Sequence, residues 1–217
     1  MVGIVVALKK EAEETINKIR DRKELNVIGK KLFIGKIAEK DVVLILSGVG
    51  KVNAAISTQF LFDNYPIDYI INFGSVGGLA RKAEVLSYYN VEKCCQYDFD
   101  VSAIDNVSVG YIQDFDTVYF YTKKDFIPFL PKISLASSDK ITEKESDIKI
   151  VSDLGCAIFD MELGAIGQVC YANNKPFISF KGVTDIHGSG IDGNTYYKNS
   201  IKVCSGFYEI LYKILSK

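Results

Sequence analysis

Histidine is nearly missing from this chain: His187 is the one imidazole in 217 residues. Zinc sites are built from clusters of Cys, His and carboxylate ligands, so a lone His argues against a metal centre. Five cysteines (Cys94, Cys95, Cys156, Cys170, Cys204) form no C-x-x-C pair, and their number is odd. Reduced, mostly buried thiols are expected rather than a disulfide framework. Charge of either sign is not in excess, since 26 Lys+Arg face 27 Asp+Glu for a net charge of −1. No stretch gathers basic residues with interleaved aromatics, so neither a nucleic-acid surface nor an anionic membrane surface is indicated. No apolar run approaches the roughly 20 residues of a membrane span. The apolar start, Val2 to Leu8, is too short for a signal h-region and has neither basic flank nor small-residue cleavage site, so the expected location is cytoplasmic. There are no repeats, low-complexity segments or linkers.

What is present is the composition of a folded protein, 48% hydrophobic and 24% charged. At roughly 100–200 residues per domain, a single domain over 1–217 is expected. A chain of this length buries about 70% of its unfolded surface and needs no disulfide or metal to support a core.

Val2 to Ala7 reads as a buried strand, and Ala12, Ile16 and Ile19 recur at helical spacing behind it, which predicts a helix from about Leu8 to Arg22. Alternating segments 26–28, 31–34 and 42–47, separated by Gly29 and Gly35, suggest a strand meander. Gly48-Val49-Gly50 then opens a helix expected to bury Val52, Ile56 and Phe60, and Tyr69 to Phe73 is a strand ending in Gly74-Ser75-Val76-Gly77-Gly78. The region 87–121 is strand-like and loop-rich. A strand at 132–137, a helix at 143–154, a strand at 157–160, a helix at 161–173 burying Leu163, Ile166, Val169 and Cys170, and a strand at 177–181 follow. Tyr197, Ile201, Cys204, Tyr208 and Leu211 form the stripe of one long amphipathic helix. Strands alternating with helices predict an α/β fold, a three-layer αβα sandwich with a mixed, mostly parallel central sheet.

Ligand sites in open α/β sheets gather at the carboxyl ends of strands. Those positions hold Glu11, the loops 47–51 and 74–78, Asp160-Met161-Glu162, and Lys181 to Asp185. Each has a plain reading as well. Glu11 in the first turn of a helix complements the macrodipole, Asp160 and Glu162 suit an N-cap and a first-turn acid, and Thr184-Asp185 suits a turn. Gly48-x-Gly50-Lys51 fails the phosphate-loop pattern at both ends, with Ile45 before it and Val52 after the lysine. The glycine loops instead offer close backbone approach to a ligand, with Ser75 supplying a hydroxyl. Asp98-x-Asp100 is a weak metal pair with no third ligand type nearby, and His187 reads as an exposed loop residue.

Taken together and in order, Ala7-Leu8-Lys9-Lys10-Glu11, Ser47 to Ala55, Ile71 to Ala80, Asp98 to Ala103, Asp160-Met161-Glu162 and Thr184-Asp185 resemble the 5'-methylthioadenosine/S-adenosylhomocysteine nucleosidases of the nucleoside phosphorylase superfamily, across essentially the whole chain. The resemblance implies hydrolysis of an N-glycosidic bond. Asp185 would protonate adenine at N7 with Thr184 orienting it. Glu11 would activate water with help from Ser75. Glu162 would accept hydrogen bonds from the ribose hydroxyls beside the Met161 backbone, with Val49 among the substrate contacts. Lys181 stands where an Arg is usual near the water, a point charge in place of a planar fork. Ile141-Thr142 occupies the place of a Phe-containing segment that stacks on adenine, so the base would be held less tightly. Ile104 sits where a partner subunit often supplies a Phe to the alkylthio pocket, and the shortened segment 105–125 has no Pro-Gly-rich loop. Tyr196 or Tyr197 would lid the 5' pocket, a core role for one of them being the alternative.

The resemblance also implies a homodimer with Val101 to Ile104 near the seam, a small nucleoside as partner, and no metal or organic cofactor. A phosphorylase is the first alternative, but its dianion site draws on arginines, and Arg20 and Arg22 are expected late in a helix, with only Arg81 besides. Another nucleosidase specificity, for futalosine or adenosine, and a binding module that has lost catalysis are the others.

Overall fold

The computed structural model describes residues 1–190 and 192–217. Strand β1 (Val2–Val6) is followed by helix α1 (Lys9–Lys18) and a meander of β2 (Arg20–Val27), β3 (Lys30–Ile37) and β4 (Lys40–Leu46). Helix α2 (Lys51–Asn64) leads to β5 (Tyr69–Gly78) and β6 (Tyr88–Gln96), and the one-turn α3 (Ser102–Asp105) precedes β7 (Phe120–Tyr121) and β8 (Lys132–Ser137). Then come α4 (Glu145–Asp153), β9 (Ile158–Asp160), α5 (Leu163–Ala172), β10 (Phe177–Ile186), α6 (Gly193–Cys204) and α7 (Phe207–Leu215).

The ten strands of the described residues lie in one sheet. The sheet is mixed as expected, though its ladders divide evenly, five parallel and five antiparallel, rather than favouring parallel ones. One half curls until β10 pairs with both β5 and β6, which closes β5, β10, β6, β8 and β9 into a ring. One apolar cluster packs α2 and α5 through Ala54, Leu61, Leu163, Ile166 and Cys170, and another packs α1, α6 and α7 through Ala12, Ile16, Val203, Phe207 and Leu211. Helices thus cover both faces, the three-layer arrangement the alternation of elements predicts. No helix among the described residues is long and apolar enough to cross a membrane.

Several expected elements are corrected. The first helix ends at Lys18, not Arg22: Ile19 is already extended, and the exposed residues of β2 pair with β3, an edge strand with little apolar signal. Arg20 and Arg22 therefore lie on a strand, where Arg20 pairs with Glu39 and Arg22 donates to the Ile16 carbonyl. Helix α2 buries Ala54, Ser57, Thr58 and Leu61, while Val52 is 67% and Ile56 49% exposed. Small hydroxyl residues can be buried there because Ser57 and Thr58 each donate to a carbonyl one turn back, at 2.8 Å. Val169 is half-buried rather than inward. The long terminal helix is two, broken at Ser205-Gly206, where a Cβ on Gly206 would collide with the Tyr88 hydroxyl. Its buried stripe runs through Ser200, Val203, Phe207 and Leu211, leaving Tyr197 and Ile201 exposed.

Strands β5 and β10 run five residues past their expected ends. Glycines 74–78 look like a loop in sequence, yet they are strand residues whose neighbours fill the space of their missing side chains: Glu11 at Gly74, Phe159 at Gly77, and Ala83 and Ile186 at Gly78. His187 is half-buried rather than exposed, its Nε2 lying 3.3 Å from Glu145 Oε1. The cysteines are free thiols, with all but Cys204 fully buried.

Candidate active site

The carboxyl ends of β1, β5 and β10, three neighbouring parallel strands, deliver side chains into one cavity of about 500 Å³. Glu11 reaches it from the first turn of α1 and is 4% exposed. Its Oε1 accepts from both the Ser75 backbone N–H at 2.8 Å and the Ser75 hydroxyl at 2.6 Å, and its Oε2 from the Leu8 N–H at 3.2 Å. The carboxylate fits against β5 because Gly74 has no side chain; a Cβ there would sit 3.2 Å from Oε1. The first-turn reading of Glu11 thus describes where it is, and the contacts with Ser75 describe what holds it.

Asp185 enters from β10 through a bulge. Val183 pairs with Val76 and Asp185 with Gly77, so Thr184 is the extra residue. In a regular strand residues 183 and 185 would face the same side; because the bulge absorbs Thr184, Asp185 faces the side opposite Val183. Thr184 Oγ1 lies 2.7 Å from Asp185 Oδ1 and 3.2 Å from the Val76 carbonyl. The carbonyl can only accept. The hydroxyl can therefore donate to an ionised Asp185, or donate to Val76 and accept from a protonated one, so the geometry serves both states. Asn199 of α6 donates to the Thr184 carbonyl at 2.9 Å and ties that helix to the bulge.

The third corner is Asp160-Met161-Glu162. Asp160 accepts from the N–H groups of Glu162 and Leu163 at the start of α5, from the Ser137 hydroxyl, and pairs with Lys181 Nζ at 2.8 Å. The N-cap residue of α5 is Glu162, not Asp160, and Asp160 holds the helix start from two positions before it. Glu162 accepts from the Gly50 N–H at 3.0 Å, and its other oxygen lies 3.3 Å from the Met161 N–H. Burial, and then the charge of Asp160, push its carboxyl up to about 7, against the opposing pull of Lys181 and the Gly50 N–H. Lys181 is 2% exposed. Burial alone would lower its ammonium, but the carboxylates of Asp160, Glu162 and Glu11 outweigh it and hold the group above its ordinary value.

Val49, Met161, Thr184 and Tyr196 line the cavity, with Ile141, 73% exposed, at its rim. Thr142 also lines it, buried, with its hydroxyl 2.7 Å from the Tyr97 hydroxyl. Three sequence candidates lie elsewhere. Lys181 sits beneath the lining, paired with Asp160. Ile104 is 83% exposed on α3, outside this chain's cavity. Tyr197 faces a separate groove between α1 and α6, so Tyr196 is the one of the two that lines the cavity, and neither is a core residue. The supposed metal pair is otherwise engaged: Asp98 holds Lys51 Nζ at 2.6 Å and the Asp139 N–H at 2.8 Å, and Asp100 accepts from the Ser102 N–H. Phe159, Lys140 and Glu143 line the cavity and were not anticipated. For Phe159 the available signal was its place one residue before Asp160 at a strand end.

The chain matches the phosphorylase superfamily over residues 1–216. It is 32% identical over 200 residues to the 5'-methylthioadenosine/S-adenosylhomocysteine nucleosidase of Oceanobacillus iheyensis, covering 86% of each chain. It is 31% identical over 232 residues to that of Buchnera aphidicola subsp. Schizaphis graminum, covering 100% of this chain and 96% of the relative. Among solved structures, the S. pneumoniae nucleosidase with the transition-state inhibitor MT-ImmA superposes with a TM-score of 0.88 at 25% identity, covering 99% of this chain and 98% of that one. The fold is shared as well with the Colwellia psychrerythraea 34H nucleosidase in complex with adenine, with a TM-score of 0.89 at 24% identity and coverage of 99% and 93%.

Proposed function

We propose that this chain, which belongs to the phosphorylase superfamily and within it to the 5'-methylthioadenosine/S-adenosylhomocysteine nucleosidases, hydrolyses the N-glycosidic bond of those two nucleosides to adenine and the thioribose. One observation carries the reading. Glu11, Ser75, Glu162 and Asp185, far apart in the chain, line a single cavity whose size suits a nucleoside.

The chemistry is that of two carboxylates on opposite sides of a reacting sugar. As the bond from C1' to N9 breaks, its electron pair leaves with the base, and Asp185, protonated in the substrate complex, delivers a proton to N7. Water bonds to the oxocarbenium-like C1' while Glu11 takes the water's proton. Glu162 accepts from the ribose hydroxyls, with the Met161 backbone beside it. Lys181 acts from below, holding Asp160 and offsetting the crowded negative charge.

Exposed apolar residues outside the cavity, Val52 and Ile56 on α2 and Ile104 on α3, support a homodimer whose partner closes the 5' side. Ten strands in one sheet support a single domain. Free thiols accord with a cytoplasmic enzyme, and a thioribose product suits methionine salvage.

The test is to assay the free base, adenine from 5'-methylthioadenosine, S-adenosylhomocysteine, 5'-deoxyadenosine and adenosine and hypoxanthine from futalosine, each with and without phosphate. Release from the 5'-thio nucleosides in phosphate-free buffer is expected. An absolute need for phosphate, or release confined to the other nucleosides, would overturn the reading.

A further inference from the structure

Three residues from three strands stand in one row across the cavity floor. Phe159 on β9 pairs with Gly77 on β5, and Gly77 pairs on its other side with Asp185 on β10. Directly opposed residues of neighbouring strands project to the same face of a sheet. The row is therefore an aromatic ring, a position with no side chain, and a carboxylate, all facing one way. The ring leans into the middle position: a Cβ on Gly77 would lie 2.6 Å from Phe159 Cζ and 3.3 Å from Cδ2. Any side chain at 77 would displace the ring. Phe159 is half-buried, backed by the apolar cluster that holds Leu79, Tyr97, Ala136 and Cys156, and it lines the cavity.

Ordinary strand spacing puts the backbones of β9 and β10 about 10 Å apart across β5. The ring reaches across part of that distance from one side and Asp185 reaches in from the other. A flat base that hydrogen-bonds Asp185 along its edge must then lie against the ring, since at Gly77 the ring and not backbone forms the floor.

We propose that Phe159 is the surface on which the purine base packs, and that Gly77 carries no side chain so that this ring can lie next to Asp185. This rests on the nucleosidase reading and names the residue that selects a flat aromatic base. The ring contacts base in both the ground and transition states, so it governs binding rather than the chemical step.

The test is the affinity for free adenine by calorimetry, alongside kcat and KM for 5'-methylthioadenosine, with thermal unfolding of each variant as the check on folding. Base-on-ring stacking of about 1–3 kcal/mol corresponds to about a five- to hundredfold weaker Kd for Phe159→Leu. KM should rise by a similar factor with kcat within about threefold of wild type, the pattern of lost uniform binding. Phe159→Tyr should bind nearly as wild type. Gly77→Ala should weaken adenine in the wild-type background and much less in the Phe159→Leu background, where the shorter side chain leaves room. Wild-type protein that neither binds adenine nor releases it overturns the nucleosidase reading. Wild-type protein that binds adenine while a folded Phe159→Leu variant binds it equally well overturns the role of the ring alone.

Discussion

Ser75 and Glu11, 64 positions apart, are joined twice through a single oxygen: the serine's N–H and its hydroxyl both donate to Glu11 Oε1, at 2.8 and 2.6 Å. Both in-plane lone pairs of Oε1 are thereby occupied. Oε2 accepts from the Leu8 N–H at 3.2 Å and keeps its other lone pair free. In the proposed reaction the oxygen that would take a proton from water is therefore Oε2, acting in one direction. Ser75 spends its only hydroxyl proton on Glu11, so it serves to orient the carboxylate.

Glu11→Gln replaces one of these acceptors by an amide that cannot take a proton, and Asp185→Asn removes the group proposed as the acid. Each is expected to lose at least about 100-fold in kcat while remaining folded, as is typical for a general base or acid. Steady-state kinetics with circular dichroism on the same samples checks this, and near-normal turnover in either variant would refute that residue's role.

Glu162 links stability to pH. Its carboxyl is pushed up to about 7 in the folded protein, whereas an unfolded glutamate titrates near its ordinary value of about 4.3. Between those values the folded state holds a proton that the unfolded chain has released, so stability falls as pH rises through the window and stays lowered above about 7. The full effect is on the order of 3 kcal/mol. The gap between the urea midpoints of wild type and Glu162→Gln should be small at pH 5 and widen several-fold by pH 8, the variant being the more stable there. A gap independent of pH would sink this.

Lys181 and Asp160 are each about 2% exposed at the side chain and form a buried ion pair. Lys181→Met leaves Asp160 without its counter-charge, at an expected cost of about 3–5 kcal/mol. Adding Asp160→Asn should recover part of that loss, because the amide buries no charge. Denaturant midpoints of the two single variants and the double variant measure both effects.

Thr184→Val keeps the shape of a fully buried side chain and removes the hydroxyl between Asp185 and the Val76 carbonyl. A hydrogen bond of about 0.5–1.5 kcal/mol predicts a two- to tenfold loss in kcat/KM. An unchanged kcat/KM in a folded variant would limit Thr184 to a packing role.

Ile56→Glu places a charge in the middle of the exposed face of α2, where Val52 and Ile56 lie. If a second copy covers that face, light scattering should give a dimer for wild type and a monomer for the variant. A monomeric wild type with full activity would remove the shared-site arrangement.

The amino-acid order by itself carries the candidate chemistry: Glu11 behind the first strand, Ser75 in its glycine run, Glu162 and Asp185 after later strands. It also carries the alternation of strand and helix from which the layers follow. These were legible because a strand end followed by a helix is a local pattern, and because residue type limits which protons can move. The glycines of β5 were misread for a related reason: a local pattern records that side chains are missing but not that Phe159 and Glu11 stand in their places. In α2, likewise, Val52, Ile56 and Phe60 mark an apolar stripe, but hydroxyls that satisfy themselves on the helix backbone let the opposite face be buried.

What only the tertiary structure decided is direction. The bulge at Thr184 sets Asp185 on the side of β10 opposite Val183, where regular alternation would put the two together, an irregularity that no composition or spacing announces. Burial converts Lys181 from a presumed neighbour of the water into the counter-charge of Asp160. Each of these outcomes depends on what a strand meets across the sheet, and a linear sequence holds no record of that until the chain has closed its long-range pairings.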